Sequence, residues 1–280
     1  YHKISSFIRL KEIRQRKYQQ KKNSKIDHNK GFYFDDSKDF DSHFKLNIEN
    51  AIDYSNNKID NFLSQKKLNN NSKNYLQSVL NKSELSPFDP IINLAMDDYL
   101  VSAASDYLGI IPIIGQIQLW YSPNDGASDE GSQFFHLDYA DVRQFKVFIM
   151  LDDIDENTGP LTFITAKDSQ IIANKINYKL SNKEIRVADD IVENYVNKHN
   201  WVKAVGSKGQ VLFIDTCRCM HFGSRNGSKP RRILMIQYIT PFSFTLPWKY
   251  KGNTFLSDVF NENKAHLDNL SDNKKMLLGL

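Results

Sequence analysis

The stretch from Gln133 to Pro160 constrains this chain of 280 residues more than any other. It opens on His136-Leu-Asp138, runs through an alternating segment from Gln144 to Leu151, and closes in an acidic turn, Asp152 to Pro160. Side chains alternate across a strand, so His136 and Asp138 share a face. In the alternating segment Phe145, Val147, Ile149 and Leu151 form an apolar face, and Gln144, Lys146, Phe148 and Met150 the other. A lysine in mid-strand among apolar residues is costly in a dry interior without a partner. Lys146 therefore either reaches the rim or meets an anion inside.

One imidazole and one carboxylate on a common face make two-thirds of a facial metal site. The third ligand must come from elsewhere, and His221 is the candidate. It ends the apolar segment that starts at Gly209, and Pro230-Arg231-Arg232 opens the next strand. Two histidines and a carboxylate on one face leave three metal positions open, the pattern of non-haem Fe(II) oxygenases. Zn²⁺ takes the same ligands. His136 alone reads equally as a core or surface histidine, and Asp138 alone as a turn carboxylate; the combination with His221 and the arginine pair carries the metal reading.

In these blocks the sequence resembles the phytanoyl-CoA dioxygenase family. The shared features are His136-x-Asp138, the segment from Lys146 through Gly159-Pro160, the Gly209-x-x-x-Phe213-x-Asp215 block leading to His221, and Asn226-x-Ser before Pro230-Arg231. The resemblance spans roughly residues 86 to 243. It implies a mainly β fold with α, a double-stranded β-helix (jelly roll, cupin-like) flanked by N-terminal helices. It also implies Fe(II), 2-oxoglutarate as cosubstrate and O₂, with succinate and CO₂ as co-products. The far carboxylate of 2-oxoglutarate needs a cation, and arginine presents a matching planar fork. Alignment on Pro-Arg and Tyr238 favours Arg231; spacing from His221 favours Arg232. Neighbouring strand residues face opposite ways, so one of the two points inward, and we favour Arg231. Lys146 is the reserve candidate, its anion being cosubstrate, substrate or an acidic side chain. Gln118 and Thr162 either donate hydrogen bonds inside the barrel or only satisfy the sheet. Related halogenases lack the carboxylate ligand; with Asp138 present, hydroxylation or another oxidation is the better expectation. Thr165-Ala-Lys-Asp-Ser stands where the family has Pro-Gly-Ser-His, so no family role is carried over to it.

Composition sets bounds on this reading. The length permits one large domain with decorations or two small ones, and apolar residues at 40% with charged residues at 25% are ordinary for a soluble globular protein. A formal charge of +4, much of it in the first 22 residues, does not argue for nucleic acid. Cys217 and Cys219 are too close in an extended strand to bridge, which fits a reducing, cytoplasmic location. We expect packing roles for both. No segment is apolar enough to span a bilayer, and the start lacks a signal-peptide core. The expected partner is a small-molecule substrate. The rival readings are an oxygenase acting on a macromolecule and a catalytically silent metal-binding module.

Along the chain, residues 1–85 read as a helical extension, 86–250 as the oxygenase domain and 251–280 as a tail. Phe7, Leu10 and Ile13 lie at helical spacing among basic residues, either an amphipathic helix for a membrane or an acidic partner or a solvated helix packed on the domain edge. Periodicity predicts helices over 44–66 and 74–82, and one from the N-cap Asp89 and Pro90 to Gly109. Residues 114–121 alternate as a strand, with Gln116, Gln118 and Trp120 towards a polar pocket; a loop over 122–132 follows. Ser181-Asn-Lys-Glu184 is a capping box that predicts a helical insertion to about residue 200. Strands follow over 201–205, 210–215 and 232–240, then a closing helix over 257–277. Asp141 and Arg143 either contact substrate or, as we expect, pair at the surface, and Asn226 is expected to shape a turn.

Overall fold

The computed structural model describes residues 10–17, 25–66, 75–124, 131–178 and 186–280. Two antiparallel sheets face each other. The larger runs β1 (Phe32–Asp35), β7 (Val211–Ile214), β4 (Gln144–Met150), β9 (Arg231–Ile239), β3 (Ile113–Ser122) and β2 (Gln77–Ser78). The smaller runs β6 (Val202–Lys203), β5 (Thr162–Phe163) and β8 (His221–Phe222). This is the jelly-roll core of a double-stranded β-helix.

The predicted alternation of β4 decides how the layers stack. Phe145, Val147 and Ile149 join Phe213, Leu234, Ile236 and Tyr238 in the main core, which is closed by helices. Helix α1 (Ser42–Lys66) contributes Ile48, Ala51, Ile52 and Ile59 at turn spacing. Helices α2 (Pro90–Ala95) and α3 (Asp98–Leu108) add Leu94, Ala95, Leu100 and Ala104. The Tyr238 hydroxyl donates to the Ala95 carbonyl at 2.7 Å and ties β9 to α2. The other face of β4 looks across at the smaller sheet. There Met150, Leu212, Ile214 and Ile233 pack with Phe163 and Cys219.

Several elements differ from the sequence reading, each for a visible reason. The helix expected from Asp89 to Gly109 is broken at Met96 and Asp97. Asp97 is extended, its carboxylate accepts the Tyr99 N–H at 2.9 Å, and the other oxygen accepts from Asn47 at 2.6 Å. A second cap therefore outcompetes the continuous helix. Gly109 ends α3 at φ 75°. Instead of a helix over 74–82, Gln77 and Ser78 pair with Tyr121 and Trp120 at the sheet edge. The predicted insertion after Ser181 begins outside the described residues. Within them Val187 pairs with Phe135, and only Asp189–Glu193 (α5) is α-helical, after α4 (Ala166–Lys175). The closing helix is three short ones, Ser257–Asn261, Lys264–Asp268 and Asp272–Leu277.

The N-terminal region is more than a helical extension, since β1 pairs with β7 from Phe32 against Ile214 to Asp35 against Val211. Residues 10–15 are helical with the expected stripe reversed: Leu10 and Ile13 are exposed, while Glu12 and Arg16 are buried. Arg16 pairs with Glu12 at 2.7 Å and donates to the carbonyls of Ile111, Pro112 and Met276. Phe7 lies outside the described residues. Among the described residues no helix is long and apolar enough to cross a membrane.

Asp215, at the end of β7, joins the helical layer to the sheet. Its carboxylate accepts from the Tyr107 hydroxyl at 2.7 Å and from the N–H groups of Gln144 and Cys217 at 3.3 and 3.1 Å. Burial outweighs these donors and nearby Arg218, pushing the carboxyl from 3.8 up to about 7. The folded state thus holds a proton that the unfolded chain releases. This contribution to stability is full below 3.8 and is lost as pH rises through about 7. Asp215→Asn keeps an acceptor for both N–H groups and does not titrate. Its melting temperature should gain on the wild type between pH 4 and pH 8, roughly 2–4 °C for each kcal/mol. A difference that stays flat across that range would contradict the buried proton.

Candidate metal centre

His136 and His221 sit opposite each other as a doubly hydrogen-bonded antiparallel pair. Each N–H donates to the other's carbonyl at 3.0 Å. Residues paired across a ladder present their side chains on one face, and the two ring centroids are 4.3 Å apart. Phe135 and Phe222, one residue along, point to the opposite face and pack edge-to-face with each other. Asp138 is placed by its N–H, which donates to the Thr216 carbonyl at 2.9 Å. The His-Leu-Asp segment is a single bridge followed by irregular backbone, yet the expected convergence holds.

Hydrogen bonds behind the rings fix what the front can do. His136 Nδ1 lies 2.9 Å from the Phe134 carbonyl and His221 Nδ1 lies 3.0 Å from the Cys219 carbonyl. A carbonyl only accepts, so each Nδ1 carries the proton and each Nε2 presents a lone pair. Burial lowers both histidines, His221 to about 3, which keeps the imidazoles neutral. Asp138 Oδ1 stands 4.0 Å from His136 Nε2 and 3.9 Å from His221 Nε2, too far to hydrogen-bond. All three ligand atoms lie within 4.8 Å of one another. Three acceptors thus face one another with no proton between them, an arrangement satisfied by a cation. The donor set, two neutral imidazoles and a carboxylate, fits Fe(II).

The second oxygen of Asp138 is fully engaged. Oδ2 accepts from Lys146 Nζ at 2.7 Å, from Gln144 Nε2 at 3.0 Å and from the Thr216 hydroxyl. Burial would raise this carboxyl, but the Lys146 ammonium, 2.7 Å from Oδ2, leads the groups that hold it well below the carboxylate range. Gln144 also donates to Thr216 Oγ1 and accepts from Gln237 Nε2, both at 2.5 Å. The anion that Lys146 meets is therefore Asp138. Gln144, Thr216 and Gln237 were not singled out by sequence reasoning. Gln144 carries a signal, since it shares a strand face with Lys146; Thr216 carries none.

The two arginines separate as strand parity demands. Arg232 points outward, 2.8 Å from Asp60 and 3.5 Å from Asp152. Arg231 points inward and is buried. Its Nη1 donates to the Gly159 carbonyl at 2.6 Å and its Nη2 to Ser122 Oγ at 3.4 Å. Among the described residues no carboxylate pairs with it, and burial lowers it to about 10. It ends an apolar pocket of about 450 Å³ including open space, walled by Trp120, Phe148, Met150, Leu161 and Ile233. A Cβ on Gly223, two residues beyond His221, would stand 3.7 Å from Arg231 Nη2, so the guanidinium lies beside the ligand strand. At the other end of β9, a cleft of about 1130 Å³ including open space is lined by Asp138, Lys146, Gln237, Leu246 and Phe255.

The remaining candidates fall elsewhere. Gln118 faces inward by parity but its Oε1 accepts from Ser78 at 2.8 Å. Thr162 pairs with Phe222, whereas its neighbour Phe163 pairs with His221, so Thr162 is on the face away from the ligands. Asp141 caps a turn through Thr240 and Val142 rather than pairing with Arg143. Cys217 and Cys219 are buried free thiols. Asn226 turns the chain at φ 58°.

Comparison with known proteins agrees with the fold. The profile of the phytanoyl-CoA dioxygenase (PhyH) family matches residues 9–234. No curated protein matches the sequence significantly. Among solved structures, EctD from S. alaskensis in its apo form superimposes with a TM-score of 0.54 at 17% identity, over 83% of this chain and 86% of that one. EctD with 2-oxoglutarate and 5-hydroxyectoine gives 0.50 at 17% identity, covering 79% of each chain. HygX from Streptomyces hygroscopicus with nickel and 2-oxoglutarate bound gives 0.50 at 12% identity, over 76% of this chain and 84% of that one. At these identities the structural likeness speaks for the fold, while the profile match, spanning both ligand segments, places the chain in the phytanoyl-CoA dioxygenase family.

Proposed function

We propose that this chain is an Fe(II)- and 2-oxoglutarate-dependent dioxygenase that hydroxylates, or otherwise oxidises, a small or medium organic substrate. The observation that carries the proposal is the meeting of three acceptor atoms, from His136, Asp138 and His221, without a proton among them. Family membership and the 2-oxoglutarate seen in EctD and HygX support it. Fe(II) held there would supply the oxidising chemistry together with 2-oxoglutarate and O₂, with succinate and CO₂ as the co-products derived from 2-oxoglutarate.

The chain's own residues hold and shield. His136, Asp138 and His221 would hold the metal, each through one atom, because both Nδ1 atoms and Asp138 Oδ2 are already committed. Arg231 would take the far carboxylate of 2-oxoglutarate. A buried guanidinium with only neutral oxygens around it is a costly group that a bidentate carboxylate satisfies. The apolar walls beside Arg231 suit the methylenes and keep water away. The wide cleft at Asp138 is the proposed entry for the substrate, and its volume exceeds that of the apolar pocket. The family name is not evidence for an acyl-CoA substrate.

Two outcomes test this reading. His136→Ala or His221→Ala should cut Fe(II)-dependent succinate release by roughly 100-fold or more, beyond the loss typical of a supporting residue. Wild-type turnover no greater than that of the variants would remove the enzyme reading. Arg231→Met should cost 2-oxoglutarate affinity about 2–5 kcal/mol, roughly 30-fold or more in KM. The same variant should melt no lower than wild type, because an unpaired buried cation has been removed. Arg232→Ala should leave the KM for 2-oxoglutarate unchanged. An equal effect of the two arginines would reverse their assignment.

A further inference from the structure

Three donors converge on Asp138 Oδ2, and they are not equivalent. Gln144 and Thr216 are fully buried, neutral and locked to each other, and Gln237 holds Gln144 from behind. These two already turn the carboxylate so that Oδ1 faces the imidazoles. The third donor, Lys146, lines the open cleft and is not needed for that aim. What the ammonium adds is charge. With both imidazoles neutral, Asp138 and Lys146 sum to zero. A divalent metal therefore enters a neutral pocket, not an anionic one.

We propose that Lys146 is a positioning residue that acts through Asp138 by charge, weakening the hold on the metal while strengthening the hold on the anionic cosubstrate. This rests on reading the triad as a 2-oxoglutarate-dependent iron centre. The two consequences have opposite signs for one electrostatic reason. The ammonium repels the incoming cation across the carboxylate. Once the cation is seated, the same ammonium leaves the centre with two net positive charges in place of one. An oxo acid approaching from the open side meets the larger field, while Arg231 takes its distant end. Partial burial of Lys146 limits solvent screening, so the effect is not confined to low salt.

The test measures binding, not turnover. Mn(II), which takes the same ligand types, is titrated into the metal-free protein, and 2-oxoglutarate into the Mn(II)-saturated protein, both by calorimetry. In Lys146→Met the Kd for Mn(II) should fall roughly tenfold or more, and the Kd for 2-oxoglutarate should rise roughly tenfold. Lys146→Gln, neutral with a different shape, should move both constants the same ways. Lys146→Arg keeps the charge and should stay within about twofold of wild type on both. Thermal melts of each variant confirm that the comparison is between folded proteins. Both constants weakening together would mean that Lys146 only supports the structure, and overturns the proposal. So would two unchanged constants, or an arginine variant that follows the methionine one. Wild type that takes up no Mn(II) overturns the metal centre itself, and wild type that takes up Mn(II) but not 2-oxoglutarate overturns the cosubstrate assignment.

Discussion

The pair of backbone hydrogen bonds between His136 and His221 is the contact on which the site depends. Those two residues lie 85 positions apart, and without their pairing neither ring has a reason to face the other. The pairing sets both Cβ directions at once, and the carbonyls of Phe134 and Cys219 then set both tautomers. Behind the same bridge, Phe135, Phe222 and Trp201 pack on the outer face. Hydrophobic burial on one side of a narrow sheet thus fixes the geometry of polar atoms on the other. The rigidity is that of a core, although the ligands are only one bridge deep.

The inner face of the larger sheet carries two cations in contrasting circumstances. Lys146 is paired with Asp138, the carboxylate of the proposed metal centre. Arg231 has no carboxylate among the described residues and is surrounded by apolar walls. Burial disfavours both, and only the first is compensated by the protein itself. On the proposed reading, the unpaired cation marks where the chain accepts instability for a ligand's sake. Five strand residues separate Arg231 from Gln237, which faces the wide cleft, so one strand, β9, spans from the proposed cosubstrate end to the proposed substrate end.

Much of this was legible beforehand, and the boundary is physical. The period of two in β4 was readable, and with it the face that carries Lys146. The ligand types were readable because metal chemistry admits few residue types at such spacing. Not readable were contacts whose cause is tertiary. Gln77 and Ser78 form a strand because the edge of β3 is available, and Val187 forms a single bridge because Phe135 is. Thr216 holds Asp138 only because β7 ends beside it. The N-terminal helical segment reversed its expected faces because Arg16 found three carbonyls from distant segments, which hydropathy spacing does not encode.

The choice between Arg231 and Arg232 shows how register, not identity, makes the site. A slip of one residue along β9 would exchange the two and turn Gln237 away from the cleft. Against β3 the ladder is continuous from Ser122–Arg231 to Gln116–Gln237 and then shifts between Ile114 and Gln116. The extra residue is Gly115. A Cβ there would stand 2.9 Å from Ile239 Cδ1 and 3.0 Å from Gln237 Oε1, so both side chains would have to shift to admit it. The bulge lets Ile114 fill the main core although Gln116, two residues on, faces the cleft. Parity is thereby reset past the site, so the strand can serve the core at its start and the pocket along the rest of its length. The register that points Arg231 inward is held by apolar packing on one face and a glycine bulge at the end, well away from the charge it positions.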